Sequence, residues 1–514
     1  MKALFVFIGL ILIIIVKAQT PVISYQEINE VYGNFSGVLD DSDMFGVSVD
    51  SIGDINNDGI TDIIVGASKD DDGGTDRGAV YIIALKTDGT VKAYQKISST
   101  EGGFTGVLND GDVFGSSVSS LGDLNGDGVV DVAVGAEYDG DGGIWHGAVW
   151  ILFLDTNGTV QSHQKISDTQ GGFTGILNDH VTFGSDIANL GDLNNDGNPD
   201  LAVGARRDDD GGSRRGAVWI LFLNANGTVQ SHQKISDTEG NFTAVLEFED
   251  YFGGSVANIG DIDHDGVIDL AVGSYRDDDG GTNFGAIYIL FLNTDGTVKG
   301  YQKISATQGG FTGTLNSECL FGVSLAPIGD LDWDNNMDIV VGSCGDDTGG
   351  NNRGAVFILH LDSNGTVKAH QKIATGLNGF TGTLYDGDYF GRAVSFIGHI
   401  GDQHTILVGA SNDDDSGTDA GSAWLLKIKG EVNPMLEQNM SINNNINVYP
   451  NPTTGIITID TDNIDYVEVL NLSGEIILKK HVSKKVDLSN EAKGIYILRA
   501  TSRNGIHNYK IVLF

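Results

Sequence analysis

Five stretches of the chain repeat an acidic string of the form Asp-x-Asn/Asp-x-Asp-Gly-x-x-Asp, at Asp54–Asp62, Asp123–Asp131, Asp192–Asp200, Asp261–Asp269 and Asp330–Asp338. Side-chain oxygens at positions 1, 3, 5 and 9, with the backbone carbonyl of position 7, can wrap a hard cation. Ca²⁺ accepts about 6–8 oxygens at roughly 2.3–2.6 Å. The predicted ligands are Asp54, Asn56, Asp58, Ile60 and Asp62; Asp123, Asn125, Asp127, Val129 and Asp131; Asp192, Asn194, Asp196, Asn198 and Asp200; Asp261, Asp263, Asp265, Val267 and Asp269; and Asp330, Asp332, Asp334, Asn336 and Asp338. Position 6 is Gly, which lets the chain turn sharply. The fifth copy has Asn335 there, and Asn is among the residues most able to replace Gly at positive φ. One such string is only a polar turn. Five in register, each directly between two predicted strands, predict about five bound Ca²⁺. The loop is shorter than an EF-hand loop and lacks its bidentate Glu. A sixth copy, Gly398-His-Ile-Gly-Asp402-Gln-His-Thr405, has lost the ligand positions and is expected to bind no ion there.

A second acidic series follows at Asp70–Asp72, Asp139–Asp141, Asp208–Asp210, Asp277–Asp279, Asp346–Asp347 and Asp413–Asp415. Turns of an up-and-down sheet alternate ends, so these loops and the acids before Phe-Gly (Asp112, Asp250, Asp388) should lie opposite the first hairpins. They read either as a solvated, repulsive surface or as a cation-dependent ligand face. On the second reading their free carboxylates take a cation or a basic or hydroxyl-rich partner, beside Trp145, Arg206, Arg207, Tyr275 and Arg276. His163, His232 and His370 share one repeated position that is Tyr94 or Tyr301 in other copies, which reads as packing. No nucleophile elbow, zinc-type His pair or phosphate-cradling loop occurs, so no catalytic residue is assigned and the chain is expected not to be an enzyme. No Arg-Gly-Asp tripeptide is present. Cys319 and Cys344 form either a disulfide or two separate buried thiols.

These motifs need a scaffold that repeats. Phe-Gly recurs at Phe45, Phe114, Phe183, Phe252, Phe321 and Phe390, always 69 residues apart. In the second copy four strand-like runs follow one another: Gly115–Leu121, Asp131–Ala136, Gly147–Leu154 and Val160–Ile166. Asn157-Gly158 between the last two, and its counterparts, supply a tight hairpin turn. Four antiparallel strands per repeat around six units predict an all-β fold, a six-bladed β-propeller. The sixth repeat stops after Gly421–Ile428, and Ser24–Asn29 carries the missing strand, so an N-terminal strand is expected to close the ring and remove an open edge.

Net charge is −40, and from Glu431 onward 8 basic residues face 9 acids, so nearly all the excess lies in the repeats. That excludes nucleic acid and anionic membrane surfaces as partners. Regular hydrophobic alternation excludes disorder as the reason for the acidity. Residues 1–18 read as a signal peptide, with Lys2, an apolar Leu4–Val16 and a small-residue cleavage site. No other stretch is long enough to span a bilayer, so the mature protein is expected to lack a transmembrane span. The layout is then signal peptide 1–18, propeller 19–429, polar linker 430–446 and a small C-terminal β-sandwich, 447–514, with short strands such as Gly455–Asp460, Val467–Asn471, Glu475–Lys479, Ile495–Ala500 and Tyr509–Leu513.

Phe-Gly, the acidic hairpin and Gly-Ala-Val, in that order, resemble the FG-GAP repeats of integrin α-subunit propellers over roughly Ser24–Ile428. That resemblance implies a calcium-stabilised propeller used for extracellular recognition, with its calcium positions on the five hairpins. Integrins usually have seven blades; this chain has six repeats and no integrin membrane anchor. The C-terminal segment resembles the type IX secretion sorting domain of gliding and oral bacteria through Tyr449-Pro-Asn-Pro452, Thr454-Gly455, Val467–Asn471, Gly494–Ile497 and Tyr509–Val512. This implies contact with the type IX machinery, outer-membrane export, removal of the tail, and release or attachment at a bacterial surface. The reading that follows is a secreted or cell-surface calcium-binding propeller that mediates adhesion or recognises an extracellular protein or glycan. The alternative is an accessory or catalytic module of an extracellular polymer- or phospholipid-degrading system, since a similar propeller accompanies the catalytic domain of a glycosylphosphatidylinositol-specific phospholipase; signal, blades and tail leave no room for that domain. A structural surface-layer component is a third reading.

Overall fold

The computed structural model describes residues 21–400, 403–429, 447–449, 453, 455–460, 464–470, 476–481, 485–489, 493–502 and 505–513. The expected signal peptide, Asp402, the linker and the Pro-Asn-Pro run lie outside them. The chain divides into two compact units, Met1–Gly430 and Glu431–Phe514.

The first unit is built from six four-stranded antiparallel sheets. The first sheet comprises Phe45–Gly53, Asp62–Ala67, Ala79–Leu85 and Val91–Ser98; the second comprises Phe114–Gly122, Asp131–Ala136, Ala148–Leu154 and Val160–Ile166. The first strands of successive sheets pack on one another and line a central cavity of about 410 Å³. This is a six-bladed β-propeller. Its middle strands are buried along their whole length, which explains their continuous Val/Ile/Leu runs, whereas outer strands such as Val160–Ile166 are buried at their ends and exposed or half-buried between. The sixth blade contains Ala393–Ile400, Gln403–Ala410 and Ser422–Ile428, and its outer strand is the N-terminal Val22–Ile28, antiparallel to Ser422–Ile428 with Tyr25 opposite Leu426 and Glu27 opposite Trp424.

Phe-Gly and Gly-Ala tie neighbouring blades together. Gly147 bridges Phe183 of the next blade, and Phe183 N donates to His146 O at 3.0 Å. A Cβ on Gly147 would stand 2.0 Å from the Phe183 carbonyl oxygen, so only glycine permits the approach. The Phe-Gly rings are fully buried, and each stacks on a phenylalanine of the inter-blade loop, as Phe114 does on Phe104 at 5.3 Å, with Trp150 edge-on to Phe104 at 5.1 Å. His163 packs on both Phe104 and Trp150, and His232 and His370 sit likewise on Phe173 and Phe311. Cys319 and Cys344 are buried free thiols.

The second unit has a three-stranded sheet, Asn447–Tyr449, Ile456–Asp460 and Lys485–Asp487, and a four-stranded sheet, Ile464–Leu470, Ile476–His481, Gly494–Ser502 and Gly505–Leu513. Ile457, Ile459 and Val486 from one sheet and Val467, Val469 and Leu498 from the other form a single core, as in a small sandwich. Asn447–Tyr449 and Lys485–Asp487 escape the sequence reading because three residues are too few for periodicity to register. No helix occurs among the described residues, and none is long and apolar enough to cross a membrane.

Candidate metal hairpins and the opposite face

Each acidic string forms the turn between the first and second strands of its blade, and its own carboxylates hold it in shape. Asp54 accepts the Asp58 N–H at 2.9 Å and the Gly59 N–H at 2.6 Å; Asp123, Asp192, Asp261 and Asp330 do the same in their copies. The fifth-position carboxylates of Asp58, Asp127, Asp196, Asp265 and Asp334 accept the N–H of the seventh residue, Ile60, Val129, Asn198, Val267 or Asn336. Asn335 takes φ 68°, in line with the glycines it replaces (Gly59, φ 87°). Position 4 is also left-handed in every copy, at Asn57, Gly126, Asn195, His264 and Trp333.

Positions 1, 3 and 5 converge near the surface. One oxygen each from Asp261, Asp263 and Asp265 lies within 4.8 Å of the others, and so it does for Asp330, Asp332 and Asp334. In the copies with Asn at position 3, Asn125 Nδ2 donates to Asp127 at 2.9 Å and Asn194 Nδ2 to Asp196 at 3.0 Å. Position 9 sits beneath the loop, buried. Asp62 accepts the backbone N–H of Ile55 (3.2 Å) and Leu85 (3.1 Å), and the Nδ2 of Asn56 (2.9 Å). Burial pushes Asp62, Asp131, Asp200 and Asp269 up to about 6, outweighing the backbone donors that pull them down. In the fifth blade His360 Nδ1 lies 2.9 Å from Asp338 Oδ2, and Asp332, Asp338 and His360 also cluster within 4.8 Å. These hairpins are pre-shaped oxygen cradles suited to a hard divalent ion.

Three lysines reach these hairpins from outer strands. Lys92 donates to Asp58 at 2.5 Å, Lys299 pairs with Asp263 at 2.8 Å and with Asp265, and Lys368 pairs with Asp332 at 3.0 Å and with Asp334. In the other two blades the same register holds Gln161 and Gln230.

The second acidic series does lie at the opposite end of the strands, but in five of its six copies the first carboxylate is not free. Asp70, Asp139, Asp208, Asp277 and Asp346 are buried, and each receives a lysine from the outer strand of its blade: Lys96, Lys165, Lys234, Lys303 or Lys372, at 2.6 to 3.0 Å. In these five blades the first acid of the series is therefore neither solvated nor free, which corrects both readings there. The reason is a lysine within the Gln-Lys-Ile run, whose period of 69 carries the signal. Asp413 and Asp415 of the sixth blade receive no lysine among the described residues.

The aromatic and basic residues of that face do gather. Trp145, two-fifths exposed, stacks on Tyr138 at 5.0 Å, and Arg207 lies over Trp145 at 5.9 Å. Arg207 and Arg276 flank Tyr251, at 6.0 and 5.1 Å. Arg206 is held by Glu137 at 2.8 Å and donates to the Tyr275 hydroxyl at 3.0 Å. Arg206, Tyr138 and Tyr275 also line the central cavity, together with Asp50, Asp186 and Arg392.

FG-GAP repeat patterns match residues 45–83, 114–152, 183–221 and 385–426, and residues 447–513 match a secretion system C-terminal sorting domain. The chain carries FG-GAP repeats and a C-terminal sorting domain. Integrin alpha-3 of Cricetulus griseus is 35% identical over 205 residues, 39% of this chain and 17% of that protein. Integrin alpha-PS5 of Drosophila melanogaster is 35% identical over 153 residues, 30% of this chain and 14% of its own length. Integrin alpha-11 of Homo sapiens is 35% identical over 170 residues, 32% of this chain and 13% of that protein. The matched stretches cover under a fifth of the length of each of these relatives. The sorting domain marks the chain as a secreted or cell-surface bacterial protein.

Proposed function

We propose that the protein is a calcium-stabilised FG-GAP propeller, exported by the type IX secretion machinery through residues 447–514, that recognises an extracellular protein or glycan without catalysing a reaction. The observation that supports the calcium reading is the hairpin itself: five copies share a turn fixed by the same hydrogen bonds, and in the two with three aspartates the first-, third- and fifth-position oxygens lie within 4.8 Å of one another. Such a cradle gains little by folding without an ion and much by folding around one, so ion binding and stability are linked.

Recognition is placed on the face opposite the hairpins, at the mouth of the central cavity. Loops held by a rigid scaffold commonly carry binding residues. The Trp145, Tyr138, Arg207, Tyr251 and Arg276 group supports this placement, because it offers one exposed aromatic ring, Trp145, backed by Tyr138 and the buried Tyr251, and positive charge on a chain of net charge −40. A sugar ring or an acidic side chain suits that combination. The test is an array of glycans and extracellular proteins probed with wild type and Trp145→Ala/Arg207→Glu, with and without calcium. Loss of binding in the variant at an unchanged melting temperature is expected; equal binding by both rejects the placement.

A further inference from the structure

The opposite face repeats one arrangement in five blades and breaks it in the sixth. Lys96, Lys165, Lys234, Lys303 and Lys372 occupy the same place on successive outer strands, paired in register with Tyr81, Trp150, Trp219, Tyr288 and Phe357. Each ammonium group reaches into the acidic loop. Lys96 lies 2.7 Å from Asp70 and 2.9 Å from Asp72; Lys165 lies 2.8 Å from Asp139 and 3.5 Å from Asp141. Lys234 and Lys303 bridge their two aspartates in the same way, and Lys372 meets Asp346 alone, because Thr348 replaces the second acid. In these blades the slot is built to hold a cation, and an ammonium group fills it.

The sixth blade takes its outer strand from the N-terminus. The residue 69 positions before Lys96 is Glu27, which pairs with Trp424 in the same register. Its carboxylate therefore enters the lysine slot. One oxygen each from Glu27, Asp413 and Asp415 lies within 4.8 Å of the others. The loop is otherwise the same: the Asp415 N–H donates to Asp413 at 2.9 Å, as the Asp72 N–H donates to Asp70 at 3.0 Å. Ser422 Oγ fixes Asp413 at 2.9 Å and Asn29 Nδ2 fixes Glu27 at 2.7 Å. Asp413 is 2% exposed. Among the described residues no lysine, arginine or histidine forms an ion pair with these three acids.

We propose that a divalent cation, Ca²⁺ in an extracellular setting, binds between Glu27, Asp413 and Asp415 in the slot that lysine fills in the other blades, and locks the closing strand onto the ring. Charge accounting supports the valence. A lysine with two aspartates leaves the slot at −1; three carboxylates, all ionised, carry −3, and a divalent ion on that form restores −1. All-oxygen donors select a hard ion. This site is separate from the five hairpins, on the other face, and does not depend on their being loaded.

The test measures bound calcium per full-length chain by equilibrium dialysis, with melting followed in calcium and in chelator. Glu27→Lys rebuilds the sister slot. It is expected to bind one ion fewer than wild type and to melt higher than wild type in chelator. Asp415→Asn, which leaves the strand's charge untouched, is expected to weaken the same ion by about tenfold or more, since one of three charged ligands is lost. Equal calcium counts for wild type and Glu27→Lys overturn the proposal. If Glu27→Lys fails to fold, an unchanged count and affinity in Asp415→Asn overturns it alone. Asp196→Ala, in the third hairpin, separates the two readings: no change there with an ion lost in Glu27→Lys rejects the hairpin sites and leaves the closing-blade site standing.

Discussion

Positions 5 and 9 of the hairpin should fail in different ways, and the third blade gives the comparison. Asp200 is buried and accepts the N–H groups of Leu193 at 3.0 Å, Asn194 at 3.3 Å and Leu223 at 3.3 Å. Asp200→Ala leaves these donors without a partner, at about 1–3 kcal/mol for each buried one. Part of that is returned, because removing a buried carboxylate also removes its desolvation penalty. A net loss of about 2–4 kcal/mol in chelator follows. Asp196 accepts the Asn198 N–H and the Asn194 Nδ2, both at 3.0 Å and both at exposed positions, so Asp196→Ala should cost less than about 1 kcal/mol in chelator. With calcium at a hundredfold over Kd, the ion adds about 2.7 kcal/mol to wild type, and either variant forfeits that term. Urea midpoints in chelator and in calcium should then place Asp200→Ala low in both, and Asp196→Ala low only in calcium. Equal losses for the two variants in chelator would refute the division between a carboxylate that builds the turn and one that faces the ion.

The remaining predictions concern pH, closure and export. Asp62, Asp131, Asp200 and Asp269 stand at about 6 when folded, above the ordinary 3.8, so their contribution to stability is complete below 3.8 and lost as pH rises through 6. In chelator the melting midpoint should therefore be higher at pH 5 than at pH 8, and calcium should flatten the difference; a chelated protein with a flat profile contradicts the burial argument. Deleting Thr20–Asn34 removes the strand that pairs with Ser422–Ile428 and exposes that edge, so size-exclusion should show oligomers or unfolded chain, and a monomer with native melting would count against closure by this strand. Deleting residues 447–514 should retain the protein inside the cell, and normal export of the shortened chain would reject the sorting role.

Much of the fold is legible in the sequence because the repeat states it six times. A single Asp-x-Asn-x-Asp-Gly is weak, but its place between two strand runs, 69 residues from the next copy, fixes both the hairpin and the blade. The second strand, Asp131–Ala136, begins and ends where the residues predict; the first, Phe114–Gly122, is one residue longer at each end and the third, Ala148–Leu154, one residue shorter at its start. The lysines were less legible. Lys96 and Lys92 sit on outer strands where an isolated lysine signifies only solvent exposure, and no local pattern shows that its side chain crosses to a loop 26 residues earlier in the chain for Lys96 and 34 for Lys92. The inter-blade phenylalanines, Phe35, Phe104, Phe173, Phe242, Phe311 and Phe380, escaped in the same way. They lie in glycine-rich loops with no periodicity of their own, yet they too recur every 69 residues.

The repeat does more than stabilise the ring, because it provides the background against which departures carry meaning. Ser48, Ser117, Ser255 and Ser324 each donate to a carbonyl of the next blade, and at the same register the third blade has Asp186, facing the cavity. Tyr138 and Trp145 replace residues that are Arg207 and Arg214 one repeat later, and Arg207 and Arg276 then lean on Tyr251 from two blades. None of these changes touches the Phe-Gly to Gly-Ala contacts that join the blades. A substitution that leaves the joints intact is free to set what the face binds, whereas one in the lysine slot alters the charge under the closing strand. The first kind gathers around the cavity mouth in blades two to four; the second occurs at Glu27, where the ring is sealed. On the proposed reading, recognition and closure are carried by different residues of one repeating frame, and each can be altered experimentally while the other is held fixed.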